Sequence, residues 1–429
     1  MARLKEYHGH YCEFEYEYAF IAFLEEVGWN YSSGNKISRV SKRDVLIEND
    51  FKKFIADANS DLTEDEVTQI YDTVRLVGAE SDFATLHKVY GWMVNGIQFT
   101  AQDGMPRMIS LIDFESPEKN IFRVVNQLTF EYTNNGQKEN RRPDVLLYVN
   151  GMPLCVIELK NPADANAKIY DAWEQINIRY WRDIPHLLHY CPLACISDGV
   201  KTRLGTVRTP YEHFYAWRRV NDDDTISTSP FEETNTMIQG VYTPERFLEI
   251  FRDYIYFQDS IYDNDEIEIV CRYPQFFAAR LLKQSIVKSV VEKSGKGGTY
   301  FGATGCGKTY TMAFLARQLS LRCTDIPQIG SPTIILIVDR EELQKQGAKL
   351  FTKSKEFLNM GEVSIVKNRA HLRQELGARQ SGGFYICTIQ KFCDREDDKI
   401  GLINDRQNII CFSDEAHRTQ IEHSKKIQF

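Results

Sequence analysis

The 429-residue sequence has little that is typical of membrane, secreted or zinc-binding proteins. It contains no apolar run of the ~18 residues that a membrane-spanning helix requires, and Met1–Glu6 lacks the apolar core of a signal peptide. The 10 cysteines include no C-x-x-C pair, and the closer pairs, Cys191 with Cys195 and Cys387 with Cys393, lack flanking histidines. We therefore expect free, buried thiols in a cytoplasmic protein, without zinc and without a membrane partner.

An excess of positive charge is missing as well. The chain carries 52 Lys and Arg residues against 60 Asp and Glu residues, which gives a formal net charge of −8 at pH 7. A field of this sign does not attract nucleic acid, so any contact with DNA must come from a local cluster of basic side chains. The candidates for such a cluster are Lys160, Lys201, Arg203, Arg218, Arg219 and Lys391.

The length of the chain predicts two or three domains, and the hydrophobic pattern changes along it. Residues 108–149 alternate in the strand period, and Asn150-Gly151 is typical of a hairpin turn. Beyond about residue 260, short apolar runs alternate with helical patterns, which predicts a parallel sheet with crossover helices. We predict one domain over residues 1–220, a linker and bridging helix over 221–258, and a second domain over 259–429.

The strongest motif is Gly302-Ala303-Thr304-Gly305-Cys306-Gly307-Lys308-Thr309, which fits the phosphate-loop pattern G-x-x-x-x-G-K-[ST]. Glycines let the backbone curl so that several N–H groups point at one phosphate, and the helix that follows adds its positive end. In this pattern Lys308 reaches the β- and γ-phosphates of ATP, and Thr309 ligates Mg²⁺.

About a hundred residues after the phosphate loop, a predicted apolar strand is followed directly by an acidic pair, Asp414-Glu415. Asp414 would hold Mg²⁺ through water, and Glu415 would orient the attacking water. The two motifs together argue against a mere glycine-rich turn beside a surface acidic cluster. Gln275 lies ahead of the loop, where its amide would read the adenine edge, although a solvated glutamine is an equally good interpretation.

A predicted hairpin carries a second candidate site. Glu158 and Lys160 are two apart on one strand and share a face. A two-residue turn would put Asp144 on the opposite face, whereas a loop of three or five residues would pair it with Glu158. Pro153 cannot donate to the ladder and favours the longer loop. Two carboxylates and a lysine would then converge, as in sites that bind Mg²⁺ beside a scissile phosphate. By itself, this pattern is more typical of a solvated strand face, and the context must decide.

Three further side chains are candidates for this site. Glu17 on the first predicted helix would supply a third carboxylate to the metal, although many acidic residues lie nearby in the sequence. Gln175 and Tyr180 lie on a predicted helix over Tyr170–Trp181, from which they would position the catalytic lysine or the DNA backbone. An aromatic helix face that packs on the core is the structural alternative.

Together these residues resemble the motor-and-cleavage subunit of type I restriction-modification enzymes. Pro143-Asp144…Glu158-Leu159-Lys160 resembles the PD-(D/E)xK nuclease core, and Gly305–Thr309, Val338–Leu343, Thr388–Phe392 and Asp414–Gln420 resemble successive superfamily 2 helicase motifs. The resemblance implies an α/β fold, with a mixed-sheet nuclease domain flanked by helices and then a RecA-like parallel-sheet helicase lobe. It also implies Mg²⁺ and ATP as cofactors, and double-stranded DNA, a methylase subunit and a specificity subunit as partners.

Two departures from the family pattern shape our expectations. The family's glutamine–tyrosine motif has three intervening residues, whereas Gln175 and Tyr180 have four, so either the helix shifts by one or Gln175 is not the equivalent residue. The later helicase motifs, which carry the arginine that completes ATP hydrolysis, do not follow Asp414-Glu415. We therefore expect an incomplete motor that binds ATP with little turnover. A non-catalytic nucleotide- or DNA-binding fragment and a DNA-repair nuclease–helicase are the alternative functions.

Overall fold

The computed structural model describes residues 13–78, 80–161, 168–226, 229, 232–258, 266–303, 305–339, 347, 349–359, 361, 363–392 and 401–414. The chain divides into two compact units, Met1–Ile255 with Glu266–Val270, and Tyr256–Asp265 with Cys271–Phe429. Within the described residues, no helix has the length and apolar character needed to cross a membrane.

The first unit contains nine α-helices within its described part. They are α1 (Glu13–Glu26), α2 (Glu48–Ala58), α3 (Glu64–Arg75), α4 (Asp82–Asn95), α5 (Ile169–Glu174), α6 (Trp181–Asp183), α7 (Pro185–Leu188), α8 (Glu233–Val241) and α9 (Pro244–Asp253). A π-helix, Gln175–Tyr180, joins α5 to α6. The start of α3 is set by a capping box, in which Thr63 accepts from the Glu66 N–H and the Glu66 side chain accepts from the Thr63 N–H.

A six-stranded mixed sheet forms the centre of the first unit. Its strands are β1 (Asn30–Ser33), β4 (Phe122–Asn126), β7 (Val145–Val149), β8 (Met152–Leu159), β9 (Leu193–Ser197) and β10 (Thr202–Thr206), in that order. The pairs β1–β4 and β8–β9 are parallel and the others antiparallel. Every residue of β7, β8 and β9 is buried, because helices cover a central strand on both faces. Two small hairpins, β2 (Ile97–Thr100) with β3 (Pro106–Ile109) and β5 (Phe130–Asn134) with β6 (Gln137–Arg141), complete this part.

The turn between β7 and β8 is shorter than the loop of three or five residues that the sequence favoured. Asn150 and Gly151 both have positive φ, of 50° and 76°, and form a two-residue turn that pairs Val149 with Met152. Pro153 still pairs with Tyr148, but Leu147 pairs with Cys155, so one extra residue is inserted in β8 as a bulge. The bulge accommodates Pro153, which has no backbone N–H to donate, and it shifts the pairing of β8 with β7 by one residue. Val145 therefore pairs with Ile157, which aligns the preceding Asp144 with Glu158.

The predicted linker and bridging helix over 221–258 have more structure than expected. The helix ends at Asp253, and β11 (Ile255–Gln258) follows it, so the expectation of helix as far as 258 was wrong. The sequence Ile255-Tyr256-Phe257 consists of residues that favour strands, which accounts for the difference. The first compact unit extends to Ile255. The two predicted boundaries between the three segments, after residues 220 and 258, stay predictions.

The second unit contains an all-parallel sheet, as predicted. Its strands are β13 (Thr333–Val338), β14 (Val363–Ile365), β15 (Phe384–Thr388) and β16 (Ile409–Ser413), in the order β14-β15-β13-β16. The described helices are α10 (Tyr273–Glu292), α11 (Lys308–Leu321), α12 (Lys355–Leu358) and α13 (Arg369–Gly377). β13 is buried along its whole length, as the central strand of a doubly covered sheet should be. The expected α/β fold, with a mixed sheet followed by a parallel sheet of RecA-like type, is confirmed.

A buried carboxylate lies in β12 (Ile267–Val270) of the first unit. Glu268 is 3% exposed, and neither of its carboxylate oxygens has a hydrogen-bond partner within the described part of the chain. Burial raises the pKa of Glu268 well above its usual value, and the neighbouring Thr206 side chain and the charge of Arg208 only partly oppose this effect. The folded protein therefore favours the protonated form of Glu268.

We expect Glu268→Gln to stabilise the protein at pH 8 and to stabilise it much less at pH 5. A raised folded-state pKa contributes stability below the unfolded value, about 4.3, and this contribution is lost as pH rises through the folded-state pKa. Glutamine does not carry the charge, so the free energy of unfolding should rise by at least about 1 kcal/mol at pH 8. Thermal unfolding at both pH values measures this, with the exposed Glu118→Gln as control. An equal gain at both pH values would contradict it.

Candidate active site

Two carboxylates meet where β7 begins and β8 ends. The backbone N–H of Asp144 lies 3.4 Å from Glu158 Oε1, and Asp144 Oδ2 accepts a hydrogen bond of 2.8 Å from the Leu159 N–H. Glu158 is fully buried, and burial raises its pKa well above the usual value, with the charge of Asp144 adding to the shift. The register created by the bulge thus brings together the two acidic residues that the sequence predicted as catalytic.

Lys160 adds a positive charge beside this pair. Its Nζ lies 3.9 Å from Glu158 Oε2 and donates a 3.1 Å hydrogen bond to Gln175 Oε1. Among the described residues, no hydrogen-bond donor reaches Glu158 Oε2, so the lysine charge is its main compensation. Glu158 and Lys160 flank Leu159, the last residue of β8, and their charged groups meet while the leucine side chain is buried in the core.

The helical segment after the hairpin closes a ring of contacts around this face. Gln175 Nε2 donates a 2.8 Å hydrogen bond to the Tyr180 hydroxyl, which donates a 2.5 Å bond to Glu158 Oε1. Burial, followed by the charge of Glu158, raises the pKa of Tyr180 well above its usual value, so the hydroxyl keeps its proton. Lys160, Gln175, Tyr180 and Glu158 therefore form one hydrogen-bonded and ion-paired circuit.

The π-helix accounts for the extra residue between Gln175 and Tyr180. In an α-helix, residues five apart do not lie on the same face, whereas one turn of π-helix contains about one additional residue. The segment Gln175–Tyr180 is a π-helix, and its first and last side chains are in direct contact. The π-helix places Gln175 beside Lys160 despite the extra residue, and its equivalence to the family's motif glutamine stays a prediction.

Glu17 approaches the same site from α1. It is 3% exposed, and burial raises its pKa. Its Oε1 accepts a 2.6 Å hydrogen bond from Asn126 Nδ2, and its Oε2 accepts a 2.5 Å bond from Gln127 Nε2. The sequence reasoning missed Asn126 and Gln127. The available signal was a polar pair at the end of β4, between the buried apolar Val124-Val125 and Leu128.

The donor set suits a hard divalent cation. No three His, Cys, Asp or Glu side chains of the described residues are grouped closely enough to form a complete metal cage. Magnesium is commonly held by only one or two carboxylates, with water and substrate phosphates supplying the other oxygens. Glu158 Oε2, which accepts no hydrogen bond from the described residues, and the adjacent Asp144 fit that requirement.

The phosphate loop precedes α11 in the second unit. Gly305 and Gly307 have φ of 79° and 81°, a region that favours glycine, and Gly307 is the N-terminal cap of the helix. Lys308 Nζ donates a 3.1 Å hydrogen bond to the Gly302 carbonyl, so the lysine folds back over the loop. A Cβ on Gly302 would lie 2.7 Å from Cys306 Sγ, which shows how tightly the loop curls. Thr309 is half-buried in the first turn of α11, and Thr304 lies outside the described residues.

Gln275 braces this loop. Its Oε1 accepts a 2.8 Å hydrogen bond from the Arg272 N–H, and its Nε2 donates a 3.1 Å bond to the Gly307 carbonyl. The side chain is buried, and both ends of the carboxamide contact the backbone. Its contact with an adenine stays a prediction. Asp414 follows β16, with its N–H bonded to the Ile337 carbonyl, and Glu415 lies outside the described residues.

A cleft of about 880 Å³ lies at the carboxyl ends of the parallel strands. It is lined by Asp339, Lys367, Asn368, Arg369, Ala370, Thr388, Gln390 and Lys391. Gln390 Nε2 donates a 2.9 Å hydrogen bond to the Asp339 carbonyl, which ties the segment after β15 to the end of β13. Three of the eight lining residues, Lys367, Arg369 and Lys391, are basic, and Lys391 is one of the predicted DNA contacts.

Comparisons with known proteins agree with this division of the chain. Residues 11–213 match the family described as type I restriction enzyme R protein N terminus, and residues 274–428 match the SWI2/SNF2 ATPase family. A putative type I restriction enzyme MjaIXP endonuclease subunit from Methanocaldococcus jannaschii is 29% identical over 433 residues, covering 94% of this chain and 39% of the relative. The type I restriction enzyme HindI endonuclease subunit from Haemophilus influenzae is 29% identical over 422 residues, with the same coverage.

The chain spans 39% of the length of each of these two relatives. The match to the R-protein family contains all the residues of the carboxylate–lysine site, and the match to the ATPase family contains the phosphate loop and Asp414. The two families follow each other in the order that the fold and the motifs indicate. The chain therefore combines a region that matches the N terminus of type I restriction R proteins with a region that matches the SWI2/SNF2 ATPases, and the curated relatives that it resembles are type I restriction endonuclease subunits.

Proposed function

We propose that the first unit is a Mg²⁺-dependent endonuclease that cleaves double-stranded DNA within a type I restriction system. The observation on which the proposal rests is the convergence of Asp144, Glu158 and Lys160 where β7 begins and β8 ends. Methylase and specificity subunits would be its partners in the cytoplasm, and the specificity subunit would select the DNA site.

Each residue of the site has a separate task in this proposal. Asp144 and Glu158 offer oxygen ligands, and the cation they hold would activate water and polarise the scissile phosphate. Lys160 places its ammonium group where negative charge develops on that phosphate. Gln175 fixes the lysine through its carbonyl, and Tyr180 fixes the Glu158 carboxylate through its hydroxyl. Asp144 is held in turn by the Leu159 N–H, so the site is rigid before DNA arrives.

The second unit supplies the nucleotide site in this proposal. Lys308 would leave the Gly302 carbonyl for the β- and γ-phosphates of ATP, and the N-terminus of α11 would face the same anion. Thr309 and Asp414 would hold the accompanying Mg²⁺, and Glu415 would orient the attacking water. In the assembled enzyme, hydrolysis would drive movement of DNA toward cleavage by the first unit.

We expect Lys160→Ala to reduce Mg²⁺-dependent cleavage of plasmid DNA by at least about 10²-fold, because it removes a preorganised cation beside the reacting phosphate. The measurement is the rate of conversion of supercoiled plasmid to open and linear forms. Lys138→Ala is the control, since Lys138 is an exposed lysine on β6 of the same unit. Cleavage by Lys160→Ala at the unmodified rate would eliminate the proposed site.

A further inference from the structure

Gln127 occupies a constrained position beside the carboxylates. It directly follows β4 and has a φ of +51°, a value that a glutamine rarely adopts without support from the surrounding structure. Its N–H donates a 3.0 Å hydrogen bond to the Asp144 carbonyl. The backbone of Gln127 is therefore tied to the start of β7, and its side chain cannot move far from Asp144.

The carboxamide of Gln127 joins two acidic side chains from different elements. Nε2 lies 2.5 Å from Glu17 Oε2 and 3.3 Å from Asp144 Oδ1. Ionised carboxylates only accept hydrogen bonds, so the NH₂ group and not the carbonyl must face them in the absence of a cation. The other oxygen of Glu17 already accepts from Asn126. The amide nitrogen thus lies beside the two carboxylate oxygens that a shared cation would contact.

A divalent ion at this position requires the amide to turn around. The positively polarised NH₂ group would repel the ion, whereas the carbonyl oxygen of the same group is a ligand type that Mg²⁺ accepts. The last torsion of a glutamine side chain is broad and nearly two-fold, so a half-turn exchanges Nε2 for Oε1 without moving the backbone.

We propose that Gln127 is an amide switch, which bridges Glu17 and Asp144 in the metal-free protein and presents its carbonyl oxygen as a neutral ligand when a divalent ion binds. This inference rests on the proposed divalent-ion site of the nuclease. It also accounts for the position of Glu17 beside the site, because Gln127 connects Glu17 on α1 to Asp144 at the start of the β7–β8 hairpin.

The test is Mn²⁺ binding measured by calorimetry, without DNA and without nucleotide. Asp144→Ala sets the baseline for ions bound elsewhere, and the exposed Gln137→Ala is the matched amide control. We expect Gln127→Ala to bind Mn²⁺ at least about 10-fold more weakly than the unmodified chain. Gln127→Gly should behave in the same way, and since glycine favours positive φ it separates the lost ligand from backbone strain.

Gln127→Glu provides the converse test. A third carboxylate should lower the thermal unfolding midpoint of the metal-free protein by like-charge repulsion, and Mn²⁺ should restore it with a larger upward shift than in the unmodified chain. Unchanged or tighter Mn²⁺ binding by both Gln127→Ala and Gln127→Gly would overturn the ligand role. No Mn²⁺ binding above the Asp144→Ala baseline in the unmodified chain would instead overturn the divalent-ion site itself, and with it the proposed nuclease.

Discussion

Replacing Asp144 or Glu158 with alanine is expected to reduce DNA cleavage to background while the affinity for DNA stays nearly unchanged. These carboxylates hold the cation, and DNA affinity comes mainly from neutralisation of phosphates by lysine and arginine. Both residues are largely buried, so neither is an important contact for the DNA backbone. Plasmid cleavage and fluorescence anisotropy with a labelled duplex measure the two properties separately.

The salt dependence of DNA binding tests separately whether the affinity comes from contacts with phosphates. A chain of net charge −8 binds DNA only through clustered basic groups, so affinity should fall steeply from low to physiological salt. The slope should be the same for the unmodified chain, Asp144→Ala, Glu158→Ala and the exposed control Glu118→Ala. Cleavage that survives in either active-site variant would show that the cation is held elsewhere. A salt-independent affinity would argue against DNA as the partner.

The second large effect is expected at the phosphate loop. Lys308→Ala should weaken Mg-ATP binding by about 10- to 100-fold, which corresponds to the loss of a charge-assisted contact of about 1.5–3 kcal/mol. The Nζ of Lys308 donates a hydrogen bond to the Gly302 carbonyl, so Lys308→Ala removes both the cation and this contact within the loop. Titration with a fluorescent ATP analogue in the presence of Mg²⁺ gives the affinity.

Lys296 supplies the matched control for this change. It is an exposed lysine in the glycine-rich segment ahead of the loop, and Lys296→Ala removes the same charge without touching the helix N-terminus. We expect its affinity for Mg-ATP to equal that of the unmodified chain. If Lys308→Ala also bound at the unmodified level, the nucleotide would have to be held by other groups, and the phosphate-loop assignment would fail.

Several features could be predicted from the sequence because their causes are local. The capping box at Thr63 and Glu66 needs only residues three apart, and the Asn150-Gly151 turn needs only two residues that tolerate positive φ. The helix that was expected after the phosphate loop is present as Lys308–Leu321. The hydrophobic pattern also indicated the parallel sheet, since strands covered on both faces are apolar throughout.

The geometry of the candidate site depended on contacts between distant parts of the chain. The turn alone would have placed Asp144 on the wrong face, and the bulge after Pro153 corrects the register of β8 against β7. The π-helix at Gln175–Tyr180 forms where both end residues are held by the Glu158–Lys160 strand. Local propensity contains neither constraint.

The sequence by itself therefore determined which residues are available for chemistry, because motif residues and their spacing are a property of the chain. Only the tertiary structure decided how these residues meet, since a one-residue change in register or helix pitch reverses the face of a side chain. Gln127 illustrates the difference most clearly. Its amide lies 17 residues from Asp144 and 110 from Glu17 along the chain, and only the packing of α1 against the sheet brings the three together.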